Sequence, residues 1–135
     1  MAHWELSLLF IAAFIWVVVS QIKEKKASMW DIQPQDAIGL MNRQSAIVFD
    51  VRDAERYAQG HIVGAKNVSF NPVSDDPKTT LKITPQTTCI FVCNIGQSSG
   101  RAVRALREKG YANIYNLAGG MTAWQKENLP VIVGK

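Results

Sequence analysis

The amino-acid sequence predicts an α/β fold in which an open, mainly parallel sheet is flanked by helices and preceded by one transmembrane helix. Short apolar, β-branched runs at residues 46–51, 88–93 and 114–117 are typical of buried strands. Stretches of helical composition lie between these runs, and strands that alternate with helices favour a parallel sheet. A longer apolar run at residues 6–19 stands apart from this pattern, near the N-terminus.

Helix start and stop signals divide the remainder of the chain. Pro34 fits the first turn of a helix, where an N–H would have no partner within the helix. Gly60 and Gly110 each follow a predicted helix and would end it. The predicted elements are helices at residues 53–59, 99–109 and 121–127, a brief strand at residues 67–70 and a loop with three prolines at residues 71–85.

The N-terminal segment, residues 1–22, is predicted to be a membrane anchor. Residues 4–22 would form a helix about 28 Å long, close to the thickness of the hydrocarbon core of a bilayer. A cleaved signal peptide fits less well, because no Lys or Arg precedes the apolar run and a poor cleavage site follows it. A buried core helix is the third interpretation, favoured by the shortness of the run and opposed by its lack of a polar face.

A basic linker, residues 23–29, joins this anchor to a single domain predicted at residues 30–135. Lys23, Lys25 and Lys26 follow the apolar run, and nothing basic precedes it. The positive-inside rule therefore predicts a single-pass protein whose domain faces the cytoplasm and whose residues 4–22 contact membrane lipid.

Composition excludes several classes of protein. The chain has 135 residues and a net charge of +4, and its basic residues are too dispersed for a nucleic-acid partner. An extended strand would separate the two cysteines, Cys89 and Cys93, by roughly 13 Å, too far for a disulfide. A reducing compartment is therefore favoured. His3 and His61 are isolated, so no metal site is predicted.

The chemistry is predicted at Cys93, where a buried strand runs into a short loop and then a helix. In parallel α/β sheets, ligands bind beyond the carboxyl ends of the strands. Backbone N–H groups of such a loop converge on one point, and the helix N-terminus adds positive potential there. A cysteine at that point has a lowered pKa and reacts as the thiolate. Cys89 lies within the apolar strand and is interpreted as a structural cysteine.

Two groups of residues on either side of Cys93 complete a recognisable pattern. The first comprises Asp50-Val51-Arg52, Glu55, Tyr57, Gly60-His61-Ile62, Gly64-Ala65 and Asn67. The second comprises Gly110-Tyr111-Ala112-Asn113-Ile114, Leu117, Gly119-Gly120-Met121 and Ala123-Trp124. Across residues 28–130 the chain resembles the rhodanese family, with its two signatures in order and a cysteine between them. With its predicted anchor it is similar to the membrane-tethered single-domain rhodaneses of Gram-negative bacteria.

The resemblance implies a rhodanese-like fold and a thiosulfate or sulfane sulfurtransferase that works through a persulfide on Cys93. The donor would be thiosulfate or a persulfide, and the acceptor cyanide in vitro and a thiol or a protein of a sulfur relay in vivo. No cofactor is implied, and the location would be the bacterial inner membrane. The persulfide-binding loop would comprise Asn94, Ile95, Gly96, Gln97, Ser98 and Ser99, supported by Asp50, Arg52 and Arg101.

Two other functions compete with sulfur transfer. A phosphatase of related fold needs an arginine six positions after its cysteine, and that position is Ser99, with Arg101 two residues late. A non-catalytic, membrane-tethered binding module is the second alternative, and it gives no reason to keep a cysteine at position 93. Many rhodaneses carry a basic residue directly after the cysteine, where this chain has Asn94, so thiosulfate is expected to bind weakly.

Overall fold

The computed structural model describes residues 3–25 and 30–134, and its centre is a five-stranded parallel sheet. The strands are β1 (Asp31–Ile32), β2 (Ile47–Asp50), β3 (His61–Ile62), β4 (Lys66–Asn67), β5 (Cys89–Val92), β6 (Ile114–Leu117) and β7 (Val131–Ile132). The sheet order is β1-β6-β5-β2-β4, with each neighbouring pair parallel. Strands β3 and β7 form a separate antiparallel pair. The three strands that the sequence predicted as buried are therefore the three central ones.

Helices cover both faces of this sheet, as a parallel sheet requires. They are α1 (Trp4–Lys25), α2 (Pro34–Arg43), α3 (Ala54–Gln59), α4 (Pro77–Thr80), α5 (Gln97–Glu108) and α6 (Gly120–Lys126). Successive residues of β2 point to opposite faces. Phe49 belongs to the core that includes Leu106 of α5, whereas Val48 belongs to the core that includes Trp124 of α6. The predicted α/β architecture, with helices on both sides of a parallel sheet, is confirmed.

The register of the central strands fixes what lies at their carboxyl ends. Asp50 of β2 pairs with Val92 of β5, and Phe91 of β5 pairs with Asn116 of β6. The residue after Val92 is Cys93. Three polar or nucleophilic side chains thus meet at one edge of the sheet, contributed by three neighbouring strands.

Two predictions for the long segment after β3 were wrong in detail. The strand predicted at residues 67–70 is β4, which ends at Asn67 because its partner β2 ends at Asp50. The predicted loop at residues 71–85 contains the one-turn helix α4. This helix begins with Pro77, and the Asp76 carboxylate caps it by accepting the N–H of Lys78 at 3.1 Å.

The N-terminal helix α1 differs from its prediction. It extends to Lys25, so residues 23–25 of the predicted linker are helical, and residues 26–29 lie outside the described residues. A search of residues 3–25 and 30–134 finds no helix that is both long and apolar enough to span a bilayer, so the predicted transmembrane helix is not supported. The uninterrupted apolar run, residues 8–19, is about 18 Å long at helical rise, against about 30 Å of hydrocarbon.

Candidate active site

Cys93 lies directly beyond β5, the middle strand of the sheet, in the loop that leads into α5. All four residues of β5 are buried, which places this loop rigidly at the carboxyl edge of the sheet. Only 5% of Cys93 is exposed. The position agrees with the prediction of a nucleophile at a strand-to-helix turn.

Several hydrogen-bond donors converge on the Cys93 sulfur. The backbone N–H of Gly96 donates to Sγ at 3.0 Å, and the Ser99 hydroxyl lies 3.2 Å from it. Burial raises the pKa of the Cys93 thiol, but hydrogen bonds from the Ser99 hydroxyl and from the N–H groups of Ser99, Gly96 and Ile95 lower it. The net effect is a pKa below the ordinary value, so the site favours a thiolate.

Gly96 gives the loop the shape that aims its N–H at the sulfur. Its φ of +95° lies in the left-handed region that favours glycine. A β-carbon there would also lie 3.2 Å from the Gly119 nitrogen and 3.3 Å from the Leu117 carbonyl oxygen. This turn lets α5 begin at Gln97, two residues earlier than the sequence predicted.

The loop is held from the other side by the first turn of α6. The N–H of Met121 donates to the Cys93 carbonyl at 2.8 Å, and that of Thr122 donates to the Asn94 carbonyl at 3.0 Å. Gly120 passes so close that a β-carbon on it would overlap the Cys93 carbonyl oxygen and lie 2.7 Å from Asn94. Gly120 therefore allows α6 to dock on the cysteine loop.

A cavity of about 280 Å³ opens beside the sulfur. Its lining residues are Val51, Arg52, Cys93, Asn94, Ile95, Gln97 and Ser98. A second cavity, of about 390 Å³, shares Arg52 and Asn94 with the first and continues past Arg56 and Gln125. The first cavity is large enough for a small molecule, and the second extends the surface from which Cys93 can be approached.

Arg52 and Asp50 form a buried ion pair beneath this cavity. Arg52 Nη2 lies 2.6 Å from Asp50 Oδ2, and Nε donates to both carboxylate oxygens. Arg52 also donates to the Gly60 carbonyl at 2.8 Å. Through these contacts both residues hold the architecture of the site. The charge of Arg52 is matched by its partner and gives the cavity little excess positive potential.

The structure separates the other predicted site residues, apart from Gly96, Asp50 and Arg52, into three groups. Asn94, Ile95, Gln97 and Ser98 line the cavity with Cys93. Ser99 is fully buried and touches the sulfur from behind, so its hydroxyl does not face an incoming substrate. Arg101 is exposed and lies on two neighbouring cavities, one beside Gly96 and one beside Phe70.

Asn116 and Asp31 are the residues of this site that the sequence analysis missed. Asn116 is 97% buried on β6 and lies 2.5 Å from the Ser99 hydroxyl, and its amide nitrogen donates to Asp31 at 2.8 Å. A polar residue inside the apolar run at residues 114–117 was the available signal.

Cys89 differs from Cys93 in its position and in the direction of its pKa shift. It is fully buried within β5, and burial raises the pKa of its thiol to about 12. Both cysteines are free, as the sequence predicted from their spacing. Cys89 is therefore an inert core residue under ordinary conditions.

Comparison with known proteins places this geometry in a family. Residues 33–127 match the rhodanese-like domain family. The Escherichia coli K12 protein named "Uncharacterized protein YibN" is 29% identical over 133 residues, covering 98% of this chain and 93% of its own. Thiosulfate sulfurtransferase GlpE of Pseudomonas putida GB-1 is 33% identical over 94 residues, which cover 70% of this chain and 83% of the relative.

A solved structure agrees with these sequence matches. The polysulfide-sulfur transferase homodimer of Wolinella succinogenes is 28% identical, with a TM-score of 0.66, over 89% of this chain and 90% of that one. The family match covers β2 to β6, the Cys93 loop and α6, so fold and sequence agree on the same residues. The chain belongs to the rhodanese-like domain family.

Proposed function

We propose that this protein is a rhodanese-type sulfurtransferase that carries sulfane sulfur as a persulfide on Cys93. The observation that supports this most directly is the convergence of backbone N–H groups and one hydroxyl on the Cys93 sulfur. Such donors stabilise a thiolate before the reaction, and the backbone N–H groups of the loop can also stabilise a persulfide anion after it. Relatives named as thiosulfate sulfurtransferase and polysulfide-sulfur transferase support sulfur transfer at the level of the family.

The loading step is a nucleophilic substitution at sulfur. A lone pair of the Cys93 thiolate forms a bond to the outer sulfur of the donor. The S–S bond of the donor breaks, and its electron pair leaves with sulfite when the donor is thiosulfate, or with a thiolate when it is a persulfide. Cys93 then carries a terminal sulfur anion, and no net oxidation takes place.

The release step reverses the roles of the sulfur atoms. A thiophilic acceptor, cyanide in vitro or a thiol in the cell, bonds to the terminal sulfur. The electron pair of the Sγ–S bond returns to Cys93, which leaves as the thiolate. Since a thiol of low pKa is the better leaving group, the same hydrogen bonds that activate loading also assist release.

The charge of the cavity favours a persulfide or polysulfide donor over thiosulfate. Among the residues that line the Cys93 cavity, Arg52 is the charged one, and Asp50 pairs with it. Thiosulfate is a dianion and would find only neutral donors for most of its charge. We therefore expect thiosulfate to load Cys93 with weak apparent affinity.

Mass spectrometry of the full chain after incubation with a persulfide or thiosulfate tests the proposal. The wild-type protein should gain the mass of one sulfur atom, and cyanide should remove it as thiocyanate. Cys93→Ser should gain none, while Cys89→Ser, the matched control, should load normally. Loading of the Cys93→Ser protein, or a wild-type protein that stays unloaded with every donor, would contradict the proposal and favour a binding module.

We also propose that α1 contacts lipid and that the domain lies on the cytoplasmic side. The large apolar side chains of α1 are exposed along its described length, with Phe10, Phe14 and Trp16 each at least 70% exposed. The lysines that follow suit an anionic membrane surface. Co-sedimentation of the full chain with anionic and neutral vesicles tests the contact, and failure to bind either would contradict it. Protease protection in cells tests the location.

A further inference from the structure

Behind the Cys93 sulfur, the Ser99 hydroxyl has two acceptors for a single proton. Its oxygen lies 3.2 Å from Cys93 Sγ and 2.5 Å from Asn116 Oδ1. A hydroxyl donates one hydrogen bond at a time. Both acceptors are buried, and Ser99 itself is fully buried, so the two acceptors compete for this one proton.

The orientation of the Asn116 amide is fixed by its other contacts. Its nitrogen donates to Asp31 Oδ1 at 2.8 Å and to the Gly96 carbonyl at 3.0 Å. Both partners accept hydrogen bonds, so both amide protons are used and the amide oxygen must face Ser99. A flipped amide would place its oxygen against two acceptors. Asn116 can therefore only accept from Ser99.

We infer that the Ser99 hydroxyl proton turns from Asn116 to Cys93 when Cys93 becomes a thiolate and returns to Asn116 when Cys93 is a thiol or a persulfide. In the thiol, the S–H of Cys93 donates to the Ser99 oxygen, and Ser99 donates to Asn116. In the thiolate, Ser99 donates to Sγ, and Asn116 Oδ1 loses its donor. In the persulfide, Sγ is a neutral divalent sulfur and a weak acceptor, so the bond to Asn116 re-forms.

Asn116 is thus a positioning residue that acts on Cys93 through Ser99. It competes for the donor that stabilises the thiolate, so it opposes formation of the thiolate. It regains that donor when sulfur is taken up, so it favours the loaded state. The persulfide half of this cycle rests on the proposed sulfurtransferase function, whereas the thiol and thiolate half does not.

Other charged groups surround this network and stay constant in the comparison of Ser99 and Asn116 variants. Arg52 lines the Cys93 cavity from the end of β2. Asp31 on β1 lies with Arg101 and Arg104 of α5 around the neighbouring cavity that contains Asn116. A comparison in which only Ser99 and Asn116 change leaves the effect of these four side chains unaltered.

A double-mutant cycle that measures the Cys93 pKa isolates this exchange of the Ser99 proton between Asn116 and Cys93. The pH titration of the thiolate ultraviolet absorbance is measured for the wild-type protein, Ser99→Ala, Asn116→Ala and the double variant. Ser99→Ala should raise the Cys93 pKa by about one unit, since a hydrogen bond to an anion is lost. Asn116→Ala should lower the Cys93 pKa when Ser99 is present. This shift should exceed the shift that Asn116→Ala causes in the Ser99→Ala background by at least about half a unit.

Each outcome of the cycle decides the inference. A purely structural Asn116, which only holds Gly96, predicts the same shift with and without Ser99, and such additivity would overturn the exchange. A smaller lowering of the Cys93 pKa by Asn116→Ala with Ser99 than without it would also overturn the exchange. If Asn116→Ala does not fold, Asp31→Asn replaces it, because an asparagine there still accepts from Asn116 but polarises its amide less. The shift from Asp31→Asn should then be larger with Ser99 than without it.

Two controls separate this inference from the proposed function. Asp36→Asn, on the exposed side of α2, removes the same charge without touching the network and should leave the titration unchanged. Sulfur loading from a persulfide is followed by mass spectrometry on the same proteins. A wild-type protein that shows the predicted coupling but never gains sulfur would support the exchange and contradict sulfur transfer. Normal sulfur loading without coupling between Ser99 and Asn116 would support sulfur transfer and contradict the exchange.

Discussion

The N–H of Met121 donates a 2.8 Å hydrogen bond to the carbonyl of Cys93, so the first turn of α6 holds the loop that carries this cysteine. The approach is close enough that the residue before Met121 has no room for a side chain. Two segments that are 28 positions apart in the chain therefore form one unit, and the shape of the sulfur site depends on both.

Gly120→Ala should disrupt this unit. A β-carbon at position 120 would overlap the Cys93 carbonyl, and the φ of +57° is strained for alanine. We expect a loss of at least about 2 kcal/mol in the free energy of unfolding and little sulfur transfer. Urea denaturation measures the first effect. Gly39→Ala is the matched control, because nothing lies within 4 Å of its β-carbon and α2 should gain up to about 1 kcal/mol. Equal stability of the two variants would contradict the role of Gly120.

Arg52→Ala should be strongly destabilising through its buried partner. It leaves the Asp50 carboxylate, 1% exposed, without its counter-charge. Removing one member of a buried ion pair costs about 3–5 kcal/mol. Arg56→Ala is the control, because the Arg56 side chain is 58% exposed and its ion pair with Asp53 is long, at 3.9 Å. Its loss should cost less than about 1 kcal/mol. Similar unfolding midpoints for both variants would show that the buried pair does not stabilise the fold.

Cys89 should make the fold sensitive to alkaline pH. Burial raises the pKa of its thiol from 9.0 to about 12, so the folded state holds this proton more tightly than the unfolded chain. The stabilisation is complete below about pH 9 and is lost as the pH rises towards 12. Relative to Cys89→Ala, the wild-type protein should lose about 1 kcal/mol of stability per pH unit above pH 9. Parallel curves of unfolding free energy against pH would contradict this expectation.

Asn94→Arg should improve the use of thiosulfate. Asn94 lines the Cys93 cavity, where the charge of Arg52 is already paired with Asp50. A charged donor is worth about 1–2 kcal/mol more than a neutral one, so the KM for thiosulfate should fall roughly tenfold. Steady-state kinetics of sulfur transfer from thiosulfate to cyanide measure this KM. Gln86→Arg adds the same charge at an exposed turn before β5 and should change nothing. A tight KM in the wild-type protein would refute this account of the loop.

The sequence by itself determined the order of the central elements and the position of Cys93 in the fold. Short apolar, β-branched runs between helical stretches favour buried strands, and a cysteine between such a run and a helix lies at the carboxyl edge of a parallel sheet. These local patterns predicted β2, β5 and β6 and distinguished Cys93 from Cys89. Short elements such as α4 escaped because one turn of helix has no periodicity to detect.

Only the tertiary structure decided which groups contact the sulfur. Ser99 was expected to cradle the persulfide, yet it lies behind Cys93, where Asn116 competes for its proton. Asn116 is 23 positions from Cys93, and its place depends on the pairing register of β5 with β6. Hydrogen bonds that cross between strands are set by packing and register, which no local pattern of residues encodes. For the same reason, the close approach of Gly120 to Cys93 became visible only once α6 was docked on the loop.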